Sequence, residues 1–168
     1  MKTKDLLIGL FALLLGSVLA WLWFSPGGLK EAPAVTATTL DGRTLALQEL
    51  RGRPVLVTFW ATSCPGCVKE IPHLVELHHE LAPRGFEIVA FAMEYDPADQ
   101  VREMATRRGL PYVVALDSRG EAAKAFGDVR LTPTHFLIDP QGRIVQQKIG
   151  ELDMAQLRGR ILAMLGSA

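Results

Sequence analysis

The pattern of hydrophobic and polar positions is clearest around the two cysteines of the chain. Residues 55–60 (VLVTFW) form a short apolar, β-branched run, which is typical of a buried strand. Apolar residues then recur at helical spacing over residues 65–81, with a proline in the first turn, where helices tolerate it. Pro72 lies inside this predicted helix and is expected to kink it. Cys64 and Cys67 therefore lie where a buried strand leads into the N-terminus of a helix.

The same pattern extends over the rest of the chain. Asp41-Gly42 separates two short strand-like runs and indicates a β-hairpin. The predicted elements are strands at 35–40 and 44–47, a helical turn at 48–50, the strand at 55–60, the helix at 65–81, a strand at 86–92, a helix at 97–108, a strand at 112–116, a helix at 119–126, strands at 134–138 and 143–149, and a last helix, capped by Asp153, that ends at Leu165. Alternating strands and helices followed by a hairpin predict one α/β domain, with a central mixed sheet and helices on both faces.

The beginning of the chain has a different pattern. Residues 6–24 are almost entirely apolar, and a bilayer takes about 20 such residues to span. Lys2 and Lys4 place the N-terminus in the cytoplasm. The predicted division is a cytoplasmic tail at 1–5, a transmembrane anchor at 6–24, a linker at 25–34 and the folded domain at 35–168. A cleaved signal sequence is the alternative, since residues 18–20 form a passable cleavage site, and in either case the domain is exported.

The charge and the two cysteines limit the classes of function that the chain could have. The chain has 18 basic and 18 acidic residues, so nothing indicates a nucleic-acid partner. Both cysteines belong to the exported part, where disulfides persist. A disulfide between Cys64 and Cys67 closes a very short loop and adds little stability, so a redox-active pair is the better interpretation. The helix N-terminus favours the thiolate form of a cysteine placed there.

The order of the residues suggests how such a pair works. Cys64 precedes the helix and is expected to be the more exposed thiol, which makes it the nucleophile, whereas Cys67 resolves the mixed disulfide. Glu70 stands about one turn further and is a candidate base for the Cys67 proton, although a carboxylate there could also simply complement the helix dipole. The Thr132–Pro133 bond precedes a buried strand. From the residues alone an ordinary trans bond is favoured, with a cis bond as the alternative.

These residues carry a family resemblance. Residues 60–67 (WATSCPGC), Pro72, Thr132-Pro133-Thr134 and Gly150 resemble the thioredoxin superfamily. From residue 35 to 165 the chain is similar to the membrane-anchored, exported TlpA/ResA-like thiol-disulfide reductases. The resemblance implies a thioredoxin-like fold, an attacking Cys64, a resolving Cys67, a catalytic Glu70 and a cis Pro133 beside the disulfide.

The resemblance also implies a partner surface and partners. The residues implied to contact a client are Thr132, Pro133, Trp60, Pro65 and Gly66. The implied clients are oxidised periplasmic proteins, including the haem-binding segment of apocytochrome c, and the implied electron donor is a membrane thiol transporter. The location would be the bacterial inner membrane, spanned once, with the catalytic domain in the periplasm. No cofactor is implied.

The chain departs from the superfamily pattern near the cysteines. Pro65-Gly66 differs from the Gly-Pro of thioredoxin, so the direction of electron flow is not fixed by the sequence. Thr58 stands where cytosolic thioredoxins carry a buried Asp, so proton handling is expected to rest on Glu70. Ser63 replaces the Trp that usually precedes the first cysteine and forms part of the docking surface. The partner is therefore not fixed by the resemblance.

Two other functions remain as alternatives. A periplasmic disulfide oxidase or isomerase would use the same Cys64–Cys67 pair with electrons flowing the other way. A copper-carrying module would use both cysteines with His135, which follows Pro133 closely. A zinc site is not predicted, because His78 would lie about 16 Å from Cys67 along a straight helix. His73, His78 and His79 are expected at the helix surface or boundary.

Overall fold

The computed structural model describes residues 13–17 and 30–166. Within residues 30–166 the elements, in chain order, are β1 (Thr36–Thr39), β2 (Thr44–Ala46), a 3₁₀ helix (Leu47–Leu50), β3 (Val55–Trp60), α1 (Pro65–Leu81), a 3₁₀ turn (Ala82–Arg84), β4 (Glu87–Ala92), α2 (Ala98–Arg108), β5 (Val113–Leu116), α3 (Glu121–Ala125), β6 (Thr134–Ile138), β7 (Ile144–Ile149) and α4 (Met154–Leu165). Each predicted strand and helix of the domain is present, with ends shifted by one or two residues, and Pro72 lies inside α1.

The predicted membrane anchor lies largely outside the part that the structure describes. Residues 13–17 are helical, whereas the rest of the predicted span 6–24, the tail 1–5 and residues 25–29 are not among the described residues. Within the two described stretches, no helix combines the length and the apolar character needed to cross a membrane.

The seven strands form one mixed sheet in the order β2-β1-β5-β4-β3-β6-β7. Strands β3, β4 and β5 run parallel to one another. On the other side of β3, β6 pairs antiparallel with β3, and β7 pairs antiparallel with β6. The β1–β2 hairpin joins the other side of the sheet by antiparallel pairing of β1 with β5. The run 55–60 is buried at every position because β3 lies in the middle of the sheet.

Side chains alternate between the two faces of β3 and build two separate cores. Leu56 and Trp60 pack with α1, α2 and α4 on one face, whereas Val57 and Phe59 pack with α3 on the other face. Helices therefore cover both faces, as predicted. The disulfide and the residues below it belong to the face covered by α1.

The chain ahead of β1 is held against the edge of the sheet. The amide of Ala32 donates to the Gly142 carbonyl at 2.8 Å, and the amide of Ile144 donates to the Lys30 carbonyl at 2.8 Å. Part of the segment 25–34, which the sequence marks as a linker, thus lies along the start of β7.

One histidine of α1 departs from its predicted exposure. His73 and His79 are exposed, but His78 is buried, and its Nε2 lies 2.9 Å from Glu87 Oε1. The prediction of a surface or boundary position was wrong for His78, because this residue lies on the buried side of α1 with Leu74 and Leu77.

Candidate active site

The disulfide sits at the junction of β3 and α1. Cys64 is the N-cap residue of α1, and the amide of Cys67 donates to Cys64 Sγ at 3.2 Å. Cys64 and Cys67 form a disulfide with their Cα atoms 5.3 Å apart. Cys64 is partly exposed, whereas Cys67 is only 4% exposed. The sulfur of Cys64 therefore faces both solvent and the helix N-terminus, where backbone N–H groups favour a negative charge.

The turn between β3 and α1 is fastened by a buried carboxylate. Asp96, in the loop after β4, accepts hydrogen bonds from the Thr62 amide at 2.7 Å and from the Thr62 hydroxyl at 2.5 Å. Sequence reasoning did not identify Asp96. The available signal was its position, because the carboxyl ends of the parallel strands β3 and β4 meet at the same edge of the sheet.

A proline packs against the first turn of α1. The Thr132–Pro133 bond is cis, as the resemblance implied, so the trans bond favoured from the residues alone was wrong. A Cβ added to Gly66 would lie 3.6 Å from Pro133 Cδ, so the backbone of α1 and the proline ring are close neighbours. The carbonyl of Pro133 accepts from the Gly150 amide at 2.8 Å, which ties this loop to the end of β7.

Glu70 is buried behind the disulfide and is only 5% exposed. Its Oε1 accepts from the Leu152 amide at 2.5 Å. Its Oε2 lies 3.1 Å from His135 Nε2 and has no hydrogen-bond partner within residues 13–17 and 30–166. Glu70 lies on the buried side of α1 because it is three residues from Cys67 and four from Leu74.

A small cavity connects the buried thiol position to Glu70. Its lining includes Thr58, Trp60, Cys67, Glu70, Tyr112 and Pro133. The cavity has room for about one water molecule, whose centre could move within about 10 Å³. Burial raises the pKa of the Tyr112 hydroxyl above its ordinary value, and the charge of Glu70 raises it further. Tyr112 is therefore a neutral phenol at physiological pH.

The predicted partner-binding residues fall into two groups. Pro65 is exposed, and Gly66 and Thr132 are partly exposed around the disulfide. Pro133 is buried directly beneath them. Trp60 is 4% exposed and lines the cavity, so its contact with a client stays a prediction.

His135 does not join the cysteines in a metal site. It is 1% exposed on β6, directly opposite Thr58 of β3, and its near neighbour is Glu70. Across the described ranges 13–17 and 30–166, no group of three or more His, Cys, Asp or Glu side chains could hold a metal ion. The copper-carrying alternative therefore gains no support from the geometry.

Thiol-disulfide exchange is the chemistry that this geometry supports, and the fold and site together define a thioredoxin-like oxidoreductase. Comparison with known proteins agrees. The chain belongs to the Redoxin family, whose model matches residues 29–158.

Named relatives and solved structures agree with this family. A thiol-disulfide oxidoreductase ResA from Bacillus thuringiensis (strain Al Hakam) is 38% identical over 131 residues, covering 77% of this chain and 74% of the relative. The ResA of Halalkalibacterium halodurans is 35% identical over 121 residues, covering 72% and 68% respectively. The crystal structure of a thioredoxin-family thiol:disulfide interchange protein from Chlorobium tepidum TLS superposes with a TM-score of 0.76 at 28% identity, covering 84% of this chain and 100% of that one. The protein is thus a thiol-disulfide oxidoreductase.

Proposed function

We propose that this protein is an exported, membrane-anchored reductase of disulfides in periplasmic proteins. Residues 6–24 would cross the bacterial inner membrane once and leave residues 35–168 in the periplasm. The apolar run, the lysines before it and the resemblance to anchored reductases support this location. The proposed client is the oxidised haem-binding segment of apocytochrome c, and a membrane thiol transporter would supply the electrons, because the compartment itself is oxidising.

The observation that carries the proposal is the unequal exposure of the two cysteines at a helix N-terminus. In the reduced protein, the Cys64 thiolate attacks one sulfur of the client disulfide. The Cys64–client bond forms, the client disulfide breaks, and one client thiolate leaves. Cys67 then loses its proton and attacks Cys64 Sγ, which releases the second client thiolate. Two electrons have passed to the client, and the Cys64–Cys67 disulfide of the structure is the product.

Glu70 is the proposed base for the second step. It shares a cavity with Cys67, and its Oε2 is an acceptor without a hydrogen-bond partner in the described part of the chain. The helix-dipole explanation for Glu70 is weaker, because that effect fades beyond the first turn and α1 begins five residues earlier at Pro65.

The direction of electron flow is tested by the reduction potential of the Cys64–Cys67 pair, equilibrated against glutathione or dithiothreitol. We expect a value close to that of thioredoxin, about −270 mV. A value close to that of DsbA, about −120 mV, would identify an oxidase and rule out the reductase and the apocytochrome client together.

The roles of the cysteines are tested by trapping. Cys67→Ser should accumulate a mixed disulfide with apocytochrome c, whereas Cys64→Ser should form none and reduce nothing. The opposite result, capture by Cys64→Ser alone, would reverse the assigned roles.

The role of Glu70 is tested by Glu70→Gln, with Glu76→Gln as a matched change at an exposed position of the same helix. We expect Glu70→Gln to slow the step carried out by Cys67 by about 100-fold, within the range of general base catalysis. Glu76→Gln should match the wild type. Equal rates in all three proteins would leave Glu70 with a structural role.

A further inference from the structure

His135 is an ionisable side chain in the core that takes no part in the exchange steps of Cys64, Cys67 and Glu70. It is 1% exposed on β6, two residues after Pro133. Its Nε2 lies 3.1 Å from Glu70 Oε2, and neither ring nitrogen has a hydrogen-bond partner in the described residues. Buried polar atoms without partners are uncommon in folded proteins, so this group of unpaired atoms beside a carboxylate needs an explanation.

The other polar side chains around Glu70 and His135 do not exchange protons with Cys67, so Glu70 and His135 are the two candidates. Thr58 of β3 faces His135 and carries no charge, and Tyr112 keeps its proton because burial and Glu70 raise its pKa. Lys148 of β7 lies opposite His135 in the sheet but is exposed to solvent. On the α1 side, Cys67 and Glu70 line the same cavity.

We propose that His135 is a positioning residue that acts through Glu70 by sharing the proton taken from Cys67, an inference that rests on the proposed role of Glu70. During the second exchange step the Cys67 Sγ–H bond breaks, and its electron pair forms the bond to Cys64 Sγ. The proton passes to Glu70 Oε2 and onward to His135 Nε2, which leaves a carboxylate beside an imidazolium. The bond between Cys64 and the client sulfur breaks at the same time, so the client leaves as a thiolate and the proton stays on Glu70 and His135.

The physical advantage is the charge of the pair. A carboxylate beside a neutral imidazole carries one negative charge in a buried site, which is unfavourable. Accepting the Cys67 proton makes the pair neutral overall, whether the proton rests on the carboxyl or on the ring. Two adjacent places for one proton therefore favour its removal from a thiol that is itself buried.

The test uses the reduced full-length protein and Ellman's disulfide, a symmetrical aromatic disulfide whose two thiolates are coloured. Attack by Cys64 releases the first coloured thiolate, and attack by Cys67 on the mixed disulfide releases the second. Stopped-flow absorbance separates the two phases from about pH 5 to about pH 8, the range in which histidine changes charge. The variants are His135→Gln, whose amide has a donor but takes up no proton, and His78→Gln. His78 is a control because it forms a partly buried pair with Glu87 and does not itself line the cavity shared by Cys67 and Glu70.

We expect His135→Gln to slow the second phase at neutral pH by about tenfold to 100-fold, at the low end of acid–base catalysis, and to change its pH dependence. The first phase should be unchanged, and His78→Gln should match the wild type in both phases. A second phase in His135→Gln as fast as the wild type overturns the proposal. If Glu70→Gln alone is slow, Glu70 remains the base without this partner, and if neither variant is slow, both assignments fail.

A second variant covers the case in which His135→Gln does not fold. His135→Asn replaces the ring with a smaller amide that takes up no proton, and it should slow the second phase in the same way. A folded His135→Asn whose second phase is as fast as that of the wild type overturns the proposal.

Discussion

The two tyrosines of the chain differ sharply in burial, and this difference tests the description of the cavity below the disulfide. Tyr112 is 7% exposed and lines that cavity, whereas Tyr95 is 58% exposed. In the folded protein burial raises the pKa of the Tyr112 hydroxyl, and the charge of Glu70 adds to this shift. In the unfolded chain the hydroxyl has the ordinary tyrosine pKa of about 10.

The sign of the effect follows from which state holds the proton. Above about pH 10 the unfolded chain loses the Tyr112 proton while the folded protein keeps it, so rising pH favours unfolding. The contribution to stability is complete below pH 10 and declines above it. One proton corresponds to about 1.4 kcal/mol per pH unit, so about 1.4 kcal/mol is lost through Tyr112 at pH 11.

Urea unfolding of the oxidised protein at pH 8 and pH 11 measures this loss. Between these pH values, Tyr112→Phe should lose about 1.4 kcal/mol less stability than the wild type, because it has no hydroxyl to ionise. Tyr95→Phe is the matched control and should lose as much as the wild type. If Tyr112→Phe declines as steeply as the other two proteins, the Tyr112 hydroxyl is not buried as described, and the reasoning about the cavity fails.

Two further predictions concern residues that hold the elements in place. Asp96→Ala removes the two carboxylate oxygens that accept hydrogen bonds from Thr62. Urea unfolding should therefore show a loss of about 1–3 kcal/mol, and the first phase of disulfide exchange should slow. An unchanged unfolding midpoint would show that these hydrogen bonds do not stabilise the turn. Asp153 caps α4 by accepting a hydrogen bond from the Gln156 amide at 3.0 Å, so Asp153→Ala should lower the free energy of unfolding by about 1 kcal/mol. Asp153→Asn keeps an acceptor and should be close to the wild type. Equal losses of stability in both variants would indicate that the charge of Asp153 matters instead of the cap.

Local patterns were sufficient for the elements and for the position of the disulfide. The run 55–60 is uninterrupted because β3 is buried on both faces, and that property is visible without knowing its neighbours. The position of Cys64 and Cys67 at a helix N-terminus follows from the same strand and the helical spacing after it. The roles predicted for these residues depend only on contacts a few positions apart along the chain.

The surroundings of Glu70 could not be predicted, because they depend on contacts between distant parts of the chain. His135 reaches Glu70 only because β6 pairs with β3 in a register that places it opposite Thr58. A shift of one residue would turn His135 to the other face of the sheet. The burial of Trp60 likewise follows from which face of β3 receives α1, which periodicity alone does not specify.

Residues 30–32, which contact the start of β7, lie far from the reactive sulfur of Cys64. Through β6, the start of β7 lies level with Val55 at the beginning of β3, whereas Cys64 follows the end of β3. The six residues of β3 rise by about 3.3 Å per step, so the two ends of the strand are about 17 Å apart. The reactive sulfur thus lies at the opposite end of the central strand from the contact of residues 30–32 with β7. If the anchor proposed above precedes residue 30, a membrane donor would have to extend along the length of β3 to reach Cys64.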